Sequence, residues 1–158
     1  MNTTPDRPRL AEPKLVITRV FAAPRATVWA AWTTEQMAQW AGPAGFTIPS
    51  SVADVRPGGS WRACMRSEEH GEFCQHGVYH EVVAPERLVF TTAWEEPDGT
   101  PEHEMLVTVT FADLGDRTEM TFEQATFSSE QSRDSHVDGW SQCFDKLETY
   151  LATGGHRA

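Results

Sequence analysis

The sequence predicts an α+β fold: a curved, seven-stranded antiparallel sheet wrapped around one long C-terminal helix, with two short helices between strands 1 and 2. Three observations carry this reading. Apolar and polar residues alternate with period two in six segments between residues 46 and 127. Short turn sequences separate those segments, and a parallel crossover needs roughly a dozen residues or more, so neighbours must be antiparallel. Beyond residue 128 the apolar spacing changes to three and four and keeps that period to about residue 151.

The first element is KLVITRVF, residues 14–21, in which Leu15, Ile17 and Arg19 alternate with Val16, Thr18 and Val20. Pro24 stands at the expected first helical position, where its missing N–H does no harm. Val28, Ala31 and Trp32 then share one helical face. Thr33 and Thr34 break this helix and cap a second short one, EQMAQW, with Met37 and Trp40 on one face and Gly42-Pro43 at its end. Strands follow over 46–56, 60–67, 72–83, 87–96, 104–114 and 117–127. Their separators are Pro57-Gly58-Gly59, Glu69-His70-Gly71, Ala84-Pro85-Glu86, Pro97-Asp98-Gly99 and Leu114-Gly115-Asp116. Alternation assigns inward faces: Trp61, Ala63 and Met65; Leu88, Phe90, Thr92 and Trp94; Met105, Val107, Val109 and Phe111; Met120 and Phe122. Ser128 followed by Gln131 has the capping-box pattern. Val137, Trp140, Phe144, Leu147 and Leu151 form one apolar stripe on a helix that, over 129–152, is about 36 Å long. Gly139 lies inside it at a cost of roughly 1 kcal/mol relative to Ala, which a close approach of helix to sheet would explain. Gly154-Gly155 stops the helix. The expected organisation is a disordered lead over 1–13, one domain over 14–152 and a short tail over 153–158.

A single helix is narrower than seven strands, so the sheet must curl around it. The two short helices cover the place where helix and sheet fail to meet. Such packing tends to leave a cavity with an aromatic and aliphatic lining; the competing expectation is an entirely filled core.

Length and charge narrow the functional classes. A chain of 158 residues has the size of one ordinary domain and needs no metal or disulfide staple. Its 23 Asp and Glu outnumber its 13 Lys and Arg, for a net charge of −10, which argues against nucleic-acid binding and against anionic membrane surfaces. The excess is concentrated in residues 61–158, with seven basic and 19 acidic side chains. A solvated face is the plain reading, and docking to a basic partner the other. No stretch approaches the roughly 20 apolar residues of a membrane span, and the N-terminus has no apolar core of the signal-peptide kind. Cys64, Cys74 and Cys143 contain no CxxC pair and read as reduced cytosolic thiols, with a Cys64–Cys74 bridge across a hairpin as the alternative. The expected location is therefore the cytoplasm.

The order strand, two helices, six-strand meander and long helix resembles the helix-grip fold of the START and Bet v allergen superfamily. Four segments narrow the resemblance: APRATVWAAWTTEQMAQWAGP, DVRPGGSWR, GVYHEVVAPERLVFT and DGWSQCFDKLETYLA, in that order. Together they are similar to the activator of heat shock protein 90 ATPase homologue family, over about residues 14–152. The resemblance implies a module that binds a hydrophobic ligand or a partner, with few members assigned a reaction. The eukaryotic co-chaperones that name the family carry an additional N-terminal domain, which is not expected here.

Six tryptophans are the most informative feature of the composition. Large rings can line a pocket for a flat apolar molecule or simply fill a core. The expected lining is Trp40, Trp61, Met65, Tyr79, Phe90, Trp94, Met105, Trp140 and Phe144, the methionines adding tolerance of ligand shape. His76 and His80 lie four apart, but in a strand that separation spans roughly 13 Å, too far for two ligands of one metal ion. No metal and no cofactor are expected. His76, His80 and His136 are candidates for acid–base work, with Glu81 and Glu123 as partners, although the sequence brings no two of them together. Gly58-Gly59 lacks the spacing of a nucleotide loop, and no GxSxG elbow occurs. Glu95, Glu96, Asp98, Glu102 and Glu104 crowd a hairpin tip expected to be solvated. The leading expectation is a non-enzymatic protein holding an apolar or aromatic small molecule between sheet and helix. The alternatives are a cyclase- or hydrolase-type enzyme on the same fold, and a stress-response or co-chaperone interaction module. A homodimer is a further alternative for its assembly.

Overall fold

The computed structural model describes residues 14–98, 100, 102–127 and 129–153. Strand β1 (Lys14–Phe21) is followed by helix α1 (Arg25–Thr33) and a 3-10 helix (Glu35–Gln39). Strands β2 (Thr47–Ala53), β3 (Ser60–Ser67), β4 (Gly71–Val83), β5 (Arg87–Trp94), β6 (Met105–Asp113) and β7 (Thr118–Ala125) come next, and helix α2 (Glu130–Ala152) closes the fold. The strands form one antiparallel sheet in the order β1-β7-β6-β5-β4-β3-β2, which leaves β1 and β2 at the edges.

Local chemistry explains the helix ends and corrects two sequence expectations. Pro24 is extended and caps α1 from outside, one residue before the predicted position. The second short helix is 3-10, and Thr34 caps it by accepting a hydrogen bond from the Gln36 N–H. On α2 the cap is Ser129, whose hydroxyl accepts from the Ser132 N–H at 3.0 Å. The cap is therefore one residue later than the Ser128 of the expected capping box, with Ser132 in place of the Gln at the third helical position, and Ser128 itself lies outside the described residues. So do the 1–13 lead, the Gly154-Gly155 stop and the tail beyond Thr153.

The period-two alternation corresponds to real faces. Leu88, Met105, Val107, Val109, Phe111, Met120 and Phe122 are all buried on the concave side, as their alternation requires. They meet the buried stripe of α2, Phe144, Leu147 and Leu151, and the buried face of α1, Val28, Ala31 and Trp32. Trp32 is the centre of this core, with ring centroids 5.0 Å from Trp40 and 6.2 Å from each of Phe122, Trp140 and Phe144. Arg19 occupies an inward position on edge strand β1, and its guanidinium reaches across to Asp145 at 2.9 Å and the Ser141 carbonyl at 3.2 Å on α2.

The cysteine expectation is overturned. Cys64 and Cys74 face one another in the β3–β4 register and are joined by a disulfide. The register places the two residues directly opposite with their Cα atoms 4.0 Å apart, close enough for the side chains to be bridged. The argument from reduced thiols to a cytosolic setting is left with Cys143, which is free and buried. Among the described residues no helix is long and apolar enough to cross a membrane.

Candidate functional site

Between the concave face of β2–β5, the first half of α2 and the segment running from α1 to Phe46 lies a hollow of about 530 Å³. That is within the range of roughly 300–1,000 Å³ usual for small-molecule sites. Its position follows from the sheet order. The core-forming strands β1, β5, β6 and β7 supply most of the buried side chains, while β2, β3 and β4 continue the sheet beyond them, with the 3-10 helix beside β2.

Of the nine side chains expected to line a ligand site, Trp61, Met65, Tyr79, Phe90, Trp94 and Trp140 border the hollow. Trp40, Met105 and Phe144 do not; they are packed into the core. Trp40 and Phe144 close directly on Trp32 and on each other, filling the space they would have opened onto, while Met105 is buried against Gln124, whose Nε2 lies 3.3 Å from its sulfur. Phe46, Phe73, Gln75 and Thr92 border the hollow as well and were not in the expected set. Strand alternation pointed to Thr92, which shares a face with Phe90 and Trp94; its polarity concealed it.

The indole N–H groups are fixed by protein acceptors, which orients the rings. Trp61 Nε1 donates to the Thr91 carbonyl at 3.1 Å, and Trp140 Nε1 to Gln124 Oε1 at 2.7 Å. Trp94 Nε1 donates to His136 Nε2 at 3.1 Å, and the other ring nitrogen of His136 lies 2.7 Å from the Ser132 carbonyl. His136 is thereby the tautomer with its proton on Nδ1. Burial also lowers its pKa, so the ring is held neutral. Trp32 Nε1 is different: it is buried with no partner among the described residues.

The segment over the hollow is tied to α2. Lys146 Nζ donates to the carbonyls of Gly42 at 3.0 Å, Ala41 at 3.2 Å and Phe46 at 3.4 Å, and Gln142 Oε1 accepts from the Ala44 N–H at 2.9 Å. Burial lowers the Lys146 pKa. Cys143, one helical turn earlier, borders the hollow as a thiol whose pKa burial pushes up to about 12.

The titratable candidates are arranged differently from the sequence expectation. His76 does not meet Glu81 or Glu123. It pairs with Glu95, Nδ1 to Oε2 at 2.9 Å, and Arg62 closes the same carboxylate in bidentate fashion at 2.8 and 2.9 Å. Hydrogen bonds from Arg62, and then from His76, hold the Glu95 carboxyl down at about 2. Glu95 therefore does not join the solvated hairpin tip; its side chain is only 8% exposed. Glu81 instead pairs with Arg87 and Glu123 with Lys14, and His80 is exposed. The signal for the trio lay in the register: Arg62 opposes His76, His76 opposes Ala93, and Glu95 is the next outward residue on that strand. The Cys64, Glu72 and Cys74 side chains cluster at metal-ligand spacing, but their two sulfurs are bonded to each other.

The pattern of the family described as Activator of Hsp90 ATPase homolog 1-like protein matches residues 22–152. The chain belongs to this family. Solved structures place this family member within the helix-grip fold. The AHSA1 protein from Silicibacter pomeroyi superimposes with a TM-score of 0.82 at 23% identity, covering 90% of this chain and 99% of that one. A protein from Arthrobacter aurescens gives 0.78 at 22%, with coverages of 89% and 86%. One from Nitrosomonas europaea gives 0.75 at 25%, with coverages of 90% and 96%. No curated protein matches the sequence.

Proposed function

We propose that this family member binds an apolar, flat small molecule in the hollow between sheet and α2. The observation that supports it is the lining: mostly aromatic and aliphatic side chains, with the N–H groups of Trp61, Trp94 and Trp140 already satisfied by the protein, so that ring faces are what these three offer a guest. Burying apolar surface there yields about 25 cal/mol per Å² before ordering costs. The test uses N-phenyl-1-naphthylamine, a neutral dye that brightens in apolar surroundings. Saturable one-to-one binding and a raised Tm are expected, since a ligand at 100 times its Kd adds about 2.7 kcal/mol. Ala63, which borders the hollow, offers the control. Ala63→Trp fills the space and should abolish binding while the protein stays folded. Equal binding by wild type and Ala63→Trp, or none by the wild type, sinks the proposal.

The family description carries a second reading, docking to a chaperone partner, and the net charge of −10 favours a basic one. That reading expects a complex weakened by salt.

A further inference from the structure

The hollow is not uniformly apolar. On β4 and β5 its wall carries three neutral polar side chains on one sheet face: Gln75 and Tyr79, with Thr92 between them on the neighbouring strand. Gln75 pairs with Trp94 and Tyr79 with Phe90 in register, so Thr92 stands midway along the strip. Gln75 and Tyr79 are four residues apart, about 13 Å along the strand. Tyr79 is 6% exposed and Thr92 2%. Among the described residues, neither hydroxyl has a protein hydrogen-bond partner, nor has the Gln75 amide. Their neighbours do: Thr91 Oγ1 accepts from the Val78 N–H, Trp61 reaches the Thr91 carbonyl, and Trp94 reaches His136. Side chains that border a cavity can be satisfied by what enters it, and these three polar groups face the hollow without being sealed off, since Trp32 Nε1 is the one fully enclosed side-chain polar atom without a partner among the described residues.

The charges around the hollow discriminate further. The ionisable side chains among its lining residues other than Tyr79 and Cys143 are Glu95, Glu102 and His136, and no Lys or Arg is among them. The Lys146 ammonium is engaged by three backbone carbonyls. A carboxylate guest would be buried with no cation to meet it.

We infer that the guest is an uncharged, flat apolar molecule bearing a hydroxyl or carbonyl group, which Tyr79 and Thr92 hold by hydrogen bonds while Trp61, Phe90 and Trp94 take its ring. This rests on the small-molecule reading above and narrows it. Burial pushes the Tyr79 phenol up to about 12, so it remains a donor across the neutral range.

Three matched probes test it: naphthalene, 2-naphthol and 2-naphthoate, titrated by quenching of tryptophan fluorescence at pH 7. One hydrogen bond predicts that 2-naphthol binds about fivefold more tightly than naphthalene. The anionic 2-naphthoate should bind at least about tenfold more weakly than 2-naphthol. The double variant Tyr79→Phe, Thr92→Val should lose the preference for 2-naphthol and keep its naphthalene affinity. Binding of naphthalene without any gain for 2-naphthol overturns this inference and leaves the small-molecule reading standing. So does tight binding of 2-naphthoate, or a double variant that keeps the preference. If none of the probes binds the wild type, both readings fall. The wild-type series decides the matter even where the double variant does not fold.

Discussion

Gly77 shows how one residue can set a cavity wall. A Cβ built on it would lie 1.7 Å from the Thr91 carbonyl oxygen and 2.7 Å from Trp61 Nε1. The missing side chain is what lets the Trp61 indole cross β4 and donate to β5. Gly77→Ala should therefore displace backbone, not merely crowd a flexible tip, and destabilise the protein by more than about 2 kcal/mol in urea denaturation. A loss below about 0.5 kcal/mol would show that the close approach is not rigid. Glu95 is the second residue with a disproportionate effect. Its folded-state pKa of about 2 lies below its ordinary value of 4.5, so the stabilisation it brings is complete above about 4.5 and fades as pH falls toward 2. Between pH 6 and pH 3 the wild type should lose more stability than Glu95→Gln, in which Arg62 and His76 face a group that does not titrate there. Parallel losses in the two proteins would remove the trio as a source of acid sensitivity.

At the scale of elements, α2 differs from expectation in one instructive way. Gly139 in its interior is not there because the sheet presses on it: a Cβ would meet Pro43 Cγ at 3.8 Å, an ordinary contact. Gly139→Ala should therefore stabilise the protein by about 0.5–1 kcal/mol through helix propensity, with a Tm rise as the measurement. A fall in Tm would mean that the Pro43 segment cannot accept a methyl group. The same helix explains what could be read from sequence and what could not. Its apolar stripe and the alternation of β6 and β7 were legible because each of these elements has one face in the core and one more open, which imposes the period directly, whereas β5 is buried on both faces from Leu88 to Ala93. Strand β2 gave a weaker signal, since it is an exposed edge with a register shift between Thr47 and Ser50. Trp40 and Trp61 look equivalent in sequence, each a large ring beside an apolar run. Only the distance between elements decides that Trp40 is enclosed and Trp61 borders space. The Cys64–Cys74 bridge and the Arg62–His76–Glu95 trio demand register correct to one residue, because a slip of one turns every side chain to the other face.

Across the whole molecule, the sheet is supported unevenly. The packed core draws on β1, β5, β6, β7 and the helices, whereas from β2, β3 and β4 only Tyr79 is counted among its fully buried members. The far wall of the hollow cannot rely on packing behind it, and cross-strand ties take that role: the Trp61–Thr91 hydrogen bond, the Arg62–Glu95–His76 trio and the Cys64–Cys74 disulfide. The bridge closes a loop with a sequence separation of 10, for which the chain-entropy account gives about 2–3 kcal/mol. Reduction by a dithiol, or replacement of both cysteines by serine, should lower Tm accordingly. The loss should also be local. Amide hydrogen exchange in β3 and β4 should accelerate well before that in β6, β7 or α2, because local opening follows the distribution of buried contacts. If exchange instead rises equally throughout the chain, the far wall shares the stability of the core, and the hollow is bounded by one rigid body on every side.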